Sequence, residues 1–319
     1  MKQFTHAWLA FTAIKRLENA SLTDNNRTIA DNLIRWFKGN KDGVIRGAWY
    51  PDSVIKDNAN SHVLKFAPAA AGDSRFKELP GTSLMRDYRT HSGLYQRPYA
   101  IDPDDNLPDR CESLAHAVID NLKIQFSEEK GSAVAATDNH VAQLLFMLSH
   151  YVADAHMPLH CDSRSFSSGA DIHGHIEKQW EKAVEERCRI DVPNQRFLYD
   201  EQGYPLRDPR LTAPDGGSVL SLVATELDAR PFRIGWGGDN GNVWDFITAI
   251  CQHSYLAAYA LIPQGHDHTT VTTAAYPHLN PAVTFDGWSV AVLADAVDSI
   301  ARIWFRIWRR YLNWEIDQQ

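Results

Sequence analysis

The chain has 319 residues, 44% hydrophobic and 23% charged, enough apolar material for one large core and an ordinary balance for a globular protein. Its formal net charge of −8 argues against a protein that grips long stretches of nucleic-acid backbone, although bound cations would add charge that side-chain counting misses. Cys111, Cys161, Cys188 and Cys251 stand far apart with no CxxC pair, against both a thiolate metal site and a dense disulfide framework.

The opening segment, MKQFTHAWLAFTAIKRLENA, has no uninterrupted apolar stretch and no small-residue cleavage site before charge returns at Lys15, Arg16 and Glu18. No run of about 18 apolar residues occurs anywhere, so no stable membrane insertion is expected and a cytoplasmic location is the default. Helical periodicity predicts a first helix over Thr5 to Asn19, with His6, Ala10, Ala13 and Leu17 on one stripe, and a second over Thr28 to Lys38. Residues from Ala67 to Arg110, rich in Pro, Gly, Asp and Arg, read as long irregular loops. Helices follow over Glu112 to Phe126, Asn139 to Ala155 and Asp171 to Arg187, the middle one stopped by Pro158. From Val192 to Gly217 the chain turns loop-like again. Val290, Leu293, Val297, Ile300, Trp304, Ile307, Tyr311 and Trp314 then recur at helical steps, a stripe that is more often core than interface. No strand pattern stands out. The fold class expected is all-α.

The chemistry concentrates in SHYVADAHMPLH, residues 149–160, and in DIHGHIEKQWE downstream. His150 and Asp154 are four residues apart, which places an imidazole and a carboxylate one turn apart on one helix face. His160 follows beyond the helix-ending Pro158, and His173 and Glu177 repeat the four-residue device. A lone His–Asp pair at this spacing is usually a surface or satisfied core pair. Two such pairs joined by a third His are harder to dismiss, because burying that many ionisable groups without a cation costs several kcal/mol each. Mixed His and carboxylate donors suit an open, hydrolytic zinc site rather than a closed structural one.

These segments resemble the superfamily of bacterial zinc-dependent phospholipases C and fungal single-strand-specific nucleases. Its signature is His, three residues, Asp, then a short polar stretch and Pro-Leu/Met-His. His150, Asp154 and His160 match it, with Met157 standing where the family usually carries Gln, and His173 and Glu177 match the downstream element. Upstream, WYPDSVIKDNANSHVLKF resembles the segment that supplies an Asp and a His, here Asp52 and His62, with Asp57 as the substitute carboxylate. THAWLAFTAIK resembles the early His-containing helix, making His6 a ligand candidate, and Met1 stands five residues before it, where the nuclease branch supplies a free α-amine.

The resemblance implies a multi-helix phospholipase C or single-strand nuclease-like bundle with long loops. It implies one zinc-dependent phosphodiesterase domain over residues 1–319, with room for a loop insertion at about 188–245. Two or three Zn²⁺ would be held: one by Asp52, His62, His150 and Asp154, a second by His160, His173 and Glu177, a third by Met1, His6 and Asp154. A metal-bridged hydroxide would attack phosphorus, with Asp52 as candidate general base. Glu177, and Tyr151 after His150, lean toward the phospholipase C branch. The implied partner is a phosphodiester substrate, either a phospholipid head group or a single-stranded nucleic acid or nucleotide, met by loop aromatics such as Tyr50, Tyr88, Tyr95 and Phe166. The oligomeric state is open. A non-catalytic metal-binding scaffold is the reading from another class. His156 and His175 stand beside the ligands as candidate supporting groups, but helix geometry points them away from the chelating stripe; Cys161 reads as a packed thiol. His91, His116, His140, His253, His266, His268 and His278 lack partners at ligand spacing and are expected in core or solvated roles.

Overall fold

The computed structural model describes residues 1–56, 61–66, 106–128, 136–164, 172–208, 210, 217–235, 242–266, 271, 279–280 and 283–318. Asp57, Tyr88, Tyr95, His91, Phe166, His268 and His278 lie outside the described residues. The fold is all-α. Its helices are α1 (Gln3–Glu18), α2 (Asp24–Asn40), α3 (Val44–Tyr50), α4 (Leu107–Glu128), α5 (Asp138–Ala155), α6 (Ile172–Glu185), α7 (Val219–Ala229), α8 (Val243–Leu261) and α9 (Phe285–Gln318). The sequence reading missed a two-stranded hairpin, β1 (Ile190–Asp191) and β2 (Arg196–Phe197). With two residues a strand, it is too short to show any alternation. Gln195 closes its turn at positive φ, and the Asp191 carboxylate accepts a hydrogen bond from Asn194.

Boundary differences have local causes. Thr137 caps α5 by accepting from the His140 N–H, and Pro158, just beyond its end, cannot continue it. Helix α4 begins at Leu107, five residues before its expected start, because Pro108 sits in the first turn, where a missing N–H costs nothing. Helix α2 begins at Asp24, whose charge favours a helix N-terminus. Helices α7 and α8 went unpredicted. Ser218 and Asn242 cap them, but α8 is buried on nearly every side and so carries no polar stripe from which a period can be read.

Helix α9 is the spine, packing against α1, α2, α4, α5, α7 and α8. Its stripe of Leu293, Val297, Ile300, Trp304 and Ile307 is buried. Each buried tryptophan N–H around it finds an acceptor: Trp304 at Leu145 O, Trp308 at Asn32 Oδ1, Trp288 at Ala257 O and Trp180 at Ser289 Oγ. A buried ionic knot fixes α1 to this spine. Arg16 donates to Asp298 Oδ1 (2.9 Å) and to the Leu227 and Arg230 carbonyls, while Arg230 pairs with Asp295 (2.8 Å) and Asp298 (3.1 Å). All four cysteines are buried free thiols, Cys161 within 3.8 Å of the Ala155 carbonyl. Among the described residues no helix is long and apolar enough to cross a membrane.

Candidate metal centre

Four pieces of chain converge on the buried inner half of α5. Helix α1 brings Met1 and His6. Helix α3 runs into a π-helical turn, Pro51–Ile55, that presents Asp52 and is closed by the Lys56 N–H bonding the Pro51 carbonyl at 2.7 Å. His62 begins an extended segment held to the stretch after α5, with Leu64 N donating to His160 O (3.3 Å) and Phe66 N to Cys161 O (3.0 Å). That pairing sets His62 beside the 3₁₀ turn carrying His160. Helix α6 supplies His173 and Glu177.

The nine residues singled out as candidate ligands thus lie in one cluster, and Asp154 is its hub. Its Oδ1 faces the Met1 amine at 3.0 Å, His6 Nε2 at 3.5 Å and His160 Nδ1 at 3.8 Å; its Oδ2 faces His62 Nδ1 at 2.8 Å and His150 Nε2 at 3.2 Å. Asp52 Oδ1 stands 3.8 Å from both His62 Nε2 and His150 Nε2. On the far side, His173 Nε2 is 2.8 Å from Glu177 Oε1 and 3.0 Å from His160 Nε2, and Glu177 Oε1 is 2.7 Å from the Met1 amine. Three donor sets each fall within 4.8 Å: His6, His150 and Asp154; Asp52, His62 and His150; His160, His173 and Glu177.

This donor set fits divalent cations on its own chemistry. Both His6 nitrogens and His160 Nδ1 are buried without a hydrogen-bond partner among the described residues, a costly state that a cation would relieve. His150 Nδ1 donates to the Ala48 carbonyl at 2.7 Å, which leaves a lone pair on the Nε2 that faces His62 Nδ1 at 3.2 Å. Burial holds His6 well below the usual imidazole range, helped by the nearby His150, and lowers His160 to about 3. Neutral imidazole is the ligating form. Burial opposes the charges of Asp154 and Glu177, but the Met1 amine and the surrounding histidines overcome it and depress both carboxyls. Asp52, at the exposed edge, is shifted up by its burial and by the Asp154 charge, against the pull of His150.

No protein-family model matches the chain, and no curated protein matches it. Among solved structures, the alpha-toxin of Clostridium perfringens from avian strain SWCP superposes with a TM-score of 0.47 at 13% sequence identity. The match covers 97% of this chain and 64% of that one, so the chain spans less than two thirds of the toxin's length.

Two supports for the cluster escaped the sequence reading. Glu181, one turn beyond Glu177 on α6, accepts hydrogen bonds from Phe4 N, Thr5 N and Thr5 Oγ1, all at 2.8 Å. It caps α1 from another helix, starts that helix at Gln3 and seats Met1 and His6. Its place on the His173–Glu177 stripe was the available signal. Gly47 is the second: a methyl group there would lie 2.8 Å from Phe146 Cβ, so only glycine lets α3 approach α5 closely enough for Ala48 O to reach His150. The neighbouring histidines differ from the candidates. His156 turns its Nε2 to Ser299 Oγ at 2.8 Å, toward α9, and His175 meets Gln179 on the outer face of α6, both away from the ligand stripe as helix geometry leads one to expect. His116 does have a carboxylate at ligand spacing, Glu112 four residues back, which corrects the reading that it lacks one, but the pair lies at the surface; His253 is buried in the core.

Proposed function

We propose that this protein hydrolyses phosphodiesters with two or three zinc ions held by Asp52, His62, His150 and Asp154, by His160, His173 and Glu177, and by Met1, His6 and Asp154. The observation that carries the proposal is the position of Asp154, one buried carboxylate with imidazoles or an amine facing both its oxygens. Such a bridging carboxylate suits adjacent cations, the arrangement phosphoryl chemistry uses to neutralise attacking and leaving oxygens. Zinc bound there would supply Lewis acidity toward phosphate oxygens and would acidify water toward neutral pH.

The chain's own contribution is positioning and proton handling. Ala48 O fixes the His150 tautomer, Glu181 fixes α1, and the close α3–α5 contact keeps Asp52 at the open edge, its side chain 26% exposed. At that edge Asp52 takes the general-base role in this proposal, accepting a proton from water at its Oδ atoms. Val54 (56% exposed) and Ile55 (37% exposed) lie on the same π-helical turn as Asp52, and this apolar surface favours a phospholipase C-like substrate with an apolar part. A panel on the zinc-loaded chain tests the proposal: a chromogenic phosphodiester, phosphatidylcholine, single-stranded DNA and RNA, and cyclic nucleotides. Turnover of the chromogenic ester with preference for phosphatidylcholine is expected. Preference for polynucleotide would reassign the substrate to the nuclease class, and a fully loaded but inert chain would leave a metal-binding scaffold.

A further inference from the structure

His150 and His62 belong to one donor set but stand on segments of different stiffness. His150 is fixed twice, by the α5 backbone and by the bond from its Nδ1 to Ala48 O at 2.7 Å. His62 stands outside any helix, yet its ring lies between two carboxylates, with Nδ1 2.8 Å from Asp154 Oδ2 and Nε2 3.8 Å from Asp52 Oδ1. The backbone beside it is tied on two sides, by Leu64 N donating to His160 O (3.3 Å) and Leu107 N donating to Val63 O (3.2 Å). Those bonds place the residue; its two side-chain torsions are still to be fixed.

The ring of Tyr151 packs where it can fix them. Fully buried on α5, its centroid lies 4.9 Å from that of His62 at an interplanar angle of 54°, and 5.4 Å from that of His150 at 79°. The tyrosine is gripped in turn from α4. Arg110 Nε donates to Tyr151 Oη at 3.3 Å, and the guanidinium carbon stands 5.4 Å from the ring centroid, within cation–π reach. The start of α4 therefore holds both the backbone next to His62, through Leu107, and the aromatic wall against its side chain, through Arg110.

We infer that Tyr151 and Arg110 are positioning residues, which aim His62 at the cation it shares with Asp52 and His150. Neither is a ligand; Tyr151 acts through the His62 ring and Arg110 acts through Tyr151. The inference rests on the reading that a divalent cation lies in that donor set.

Cobalt(II) titration of the full chain, followed by visible d–d absorption and by competition with a chelator, tests it. His62→Ala, which removes the ligand, identifies the absorption band of that set. Tyr151→Phe and Arg110→Gln should each shift this band and weaken this cobalt by about tenfold or more, the effect typical of losing an outer contact, while other cobalt binds as in the parent. Arg110→Lys, which keeps a charged donor, should restore most of the affinity. Because one bond links the pair, the double variant Y151F/R110Q should lose no more than the worse single variant. If Tyr151→Phe fails to fold, the two variants of half-buried Arg110 decide. An unchanged band and affinity in the single variants, equal losses at every cobalt, or additive losses in the double variant would overturn the inference while leaving the metal centre standing. A parent chain that takes up no cobalt would overturn both.

Discussion

Replacing Gly47 with alanine sets two effects of opposite sign against each other. Glycine inside a helix costs about 1 kcal/mol relative to alanine, so on α3 alone the change would stabilise. The new methyl, however, meets Phe146 Cβ and Cδ2 at 2.8 Å and Cγ at 3.2 Å. The ring atoms can turn aside, but Cβ is fixed by the α5 backbone. Carbon–carbon contact is comfortable only from about 3.5 Å, so α3 must retreat by roughly half an ångström or more. Overpacking of this kind costs about 1–3 kcal/mol, leaving a net destabilisation of up to about 2 kcal/mol. The same retreat lengthens the 2.7 Å bond from His150 Nδ1 to Ala48 O, and loss of such an outer contact typically weakens metal affinity by about 10–100-fold. Urea unfolding gives the first quantity, and competition with a zinc chelator gives the second. A Gly47→Ala protein that is more stable than the parent and holds zinc equally well would refute the reasoning.

Further substitutions separate the parts of the centre. Glu181→Gln removes one of the acceptors that cap α1, should cost about 1–3 kcal/mol by thermal or urea unfolding, and should lower metal occupancy by loosening Met1 and His6; unchanged stability would sink the capping role. Asp154→Asn turns the hub carboxylate into an amide whose N–H₂ faces donors, so metal analysis should show at least one zinc lost per chain and phosphodiester hydrolysis should vanish. His173→Ala should cost far more activity than His175→Ala, because His173 faces His160 and Glu177 while His175 meets Gln179 on the outer face of α6; equal losses would misplace the ligand.

Helical spacing made much of this centre legible in the sequence. His150 with Asp154 and His173 with Glu177 sit one turn apart on single helices, so local geometry aligns each pair wherever the helix packs. Pro158 ends α5 where the pattern breaks, and His160 falls on the turn that follows. The rest depends on distant chain segments. Glu181 reaches across 177 residues to Phe4, and the Gly47–Phe146 approach joins helices about 100 residues apart. Neither leaves a local periodicity. The hairpin and α8 were hidden for opposite reasons, one too short to alternate and the other too uniformly apolar to show a face.

Anomalous diffraction at the zinc absorption edge, from crystals of the zinc-loaded chain, addresses the proposed ligand set without relying on turnover. Two or three peaks are predicted around Asp154, each within coordination distance of one of the three donor sets. A map with no peak there, or with zinc held only by other side chains, would contradict the account.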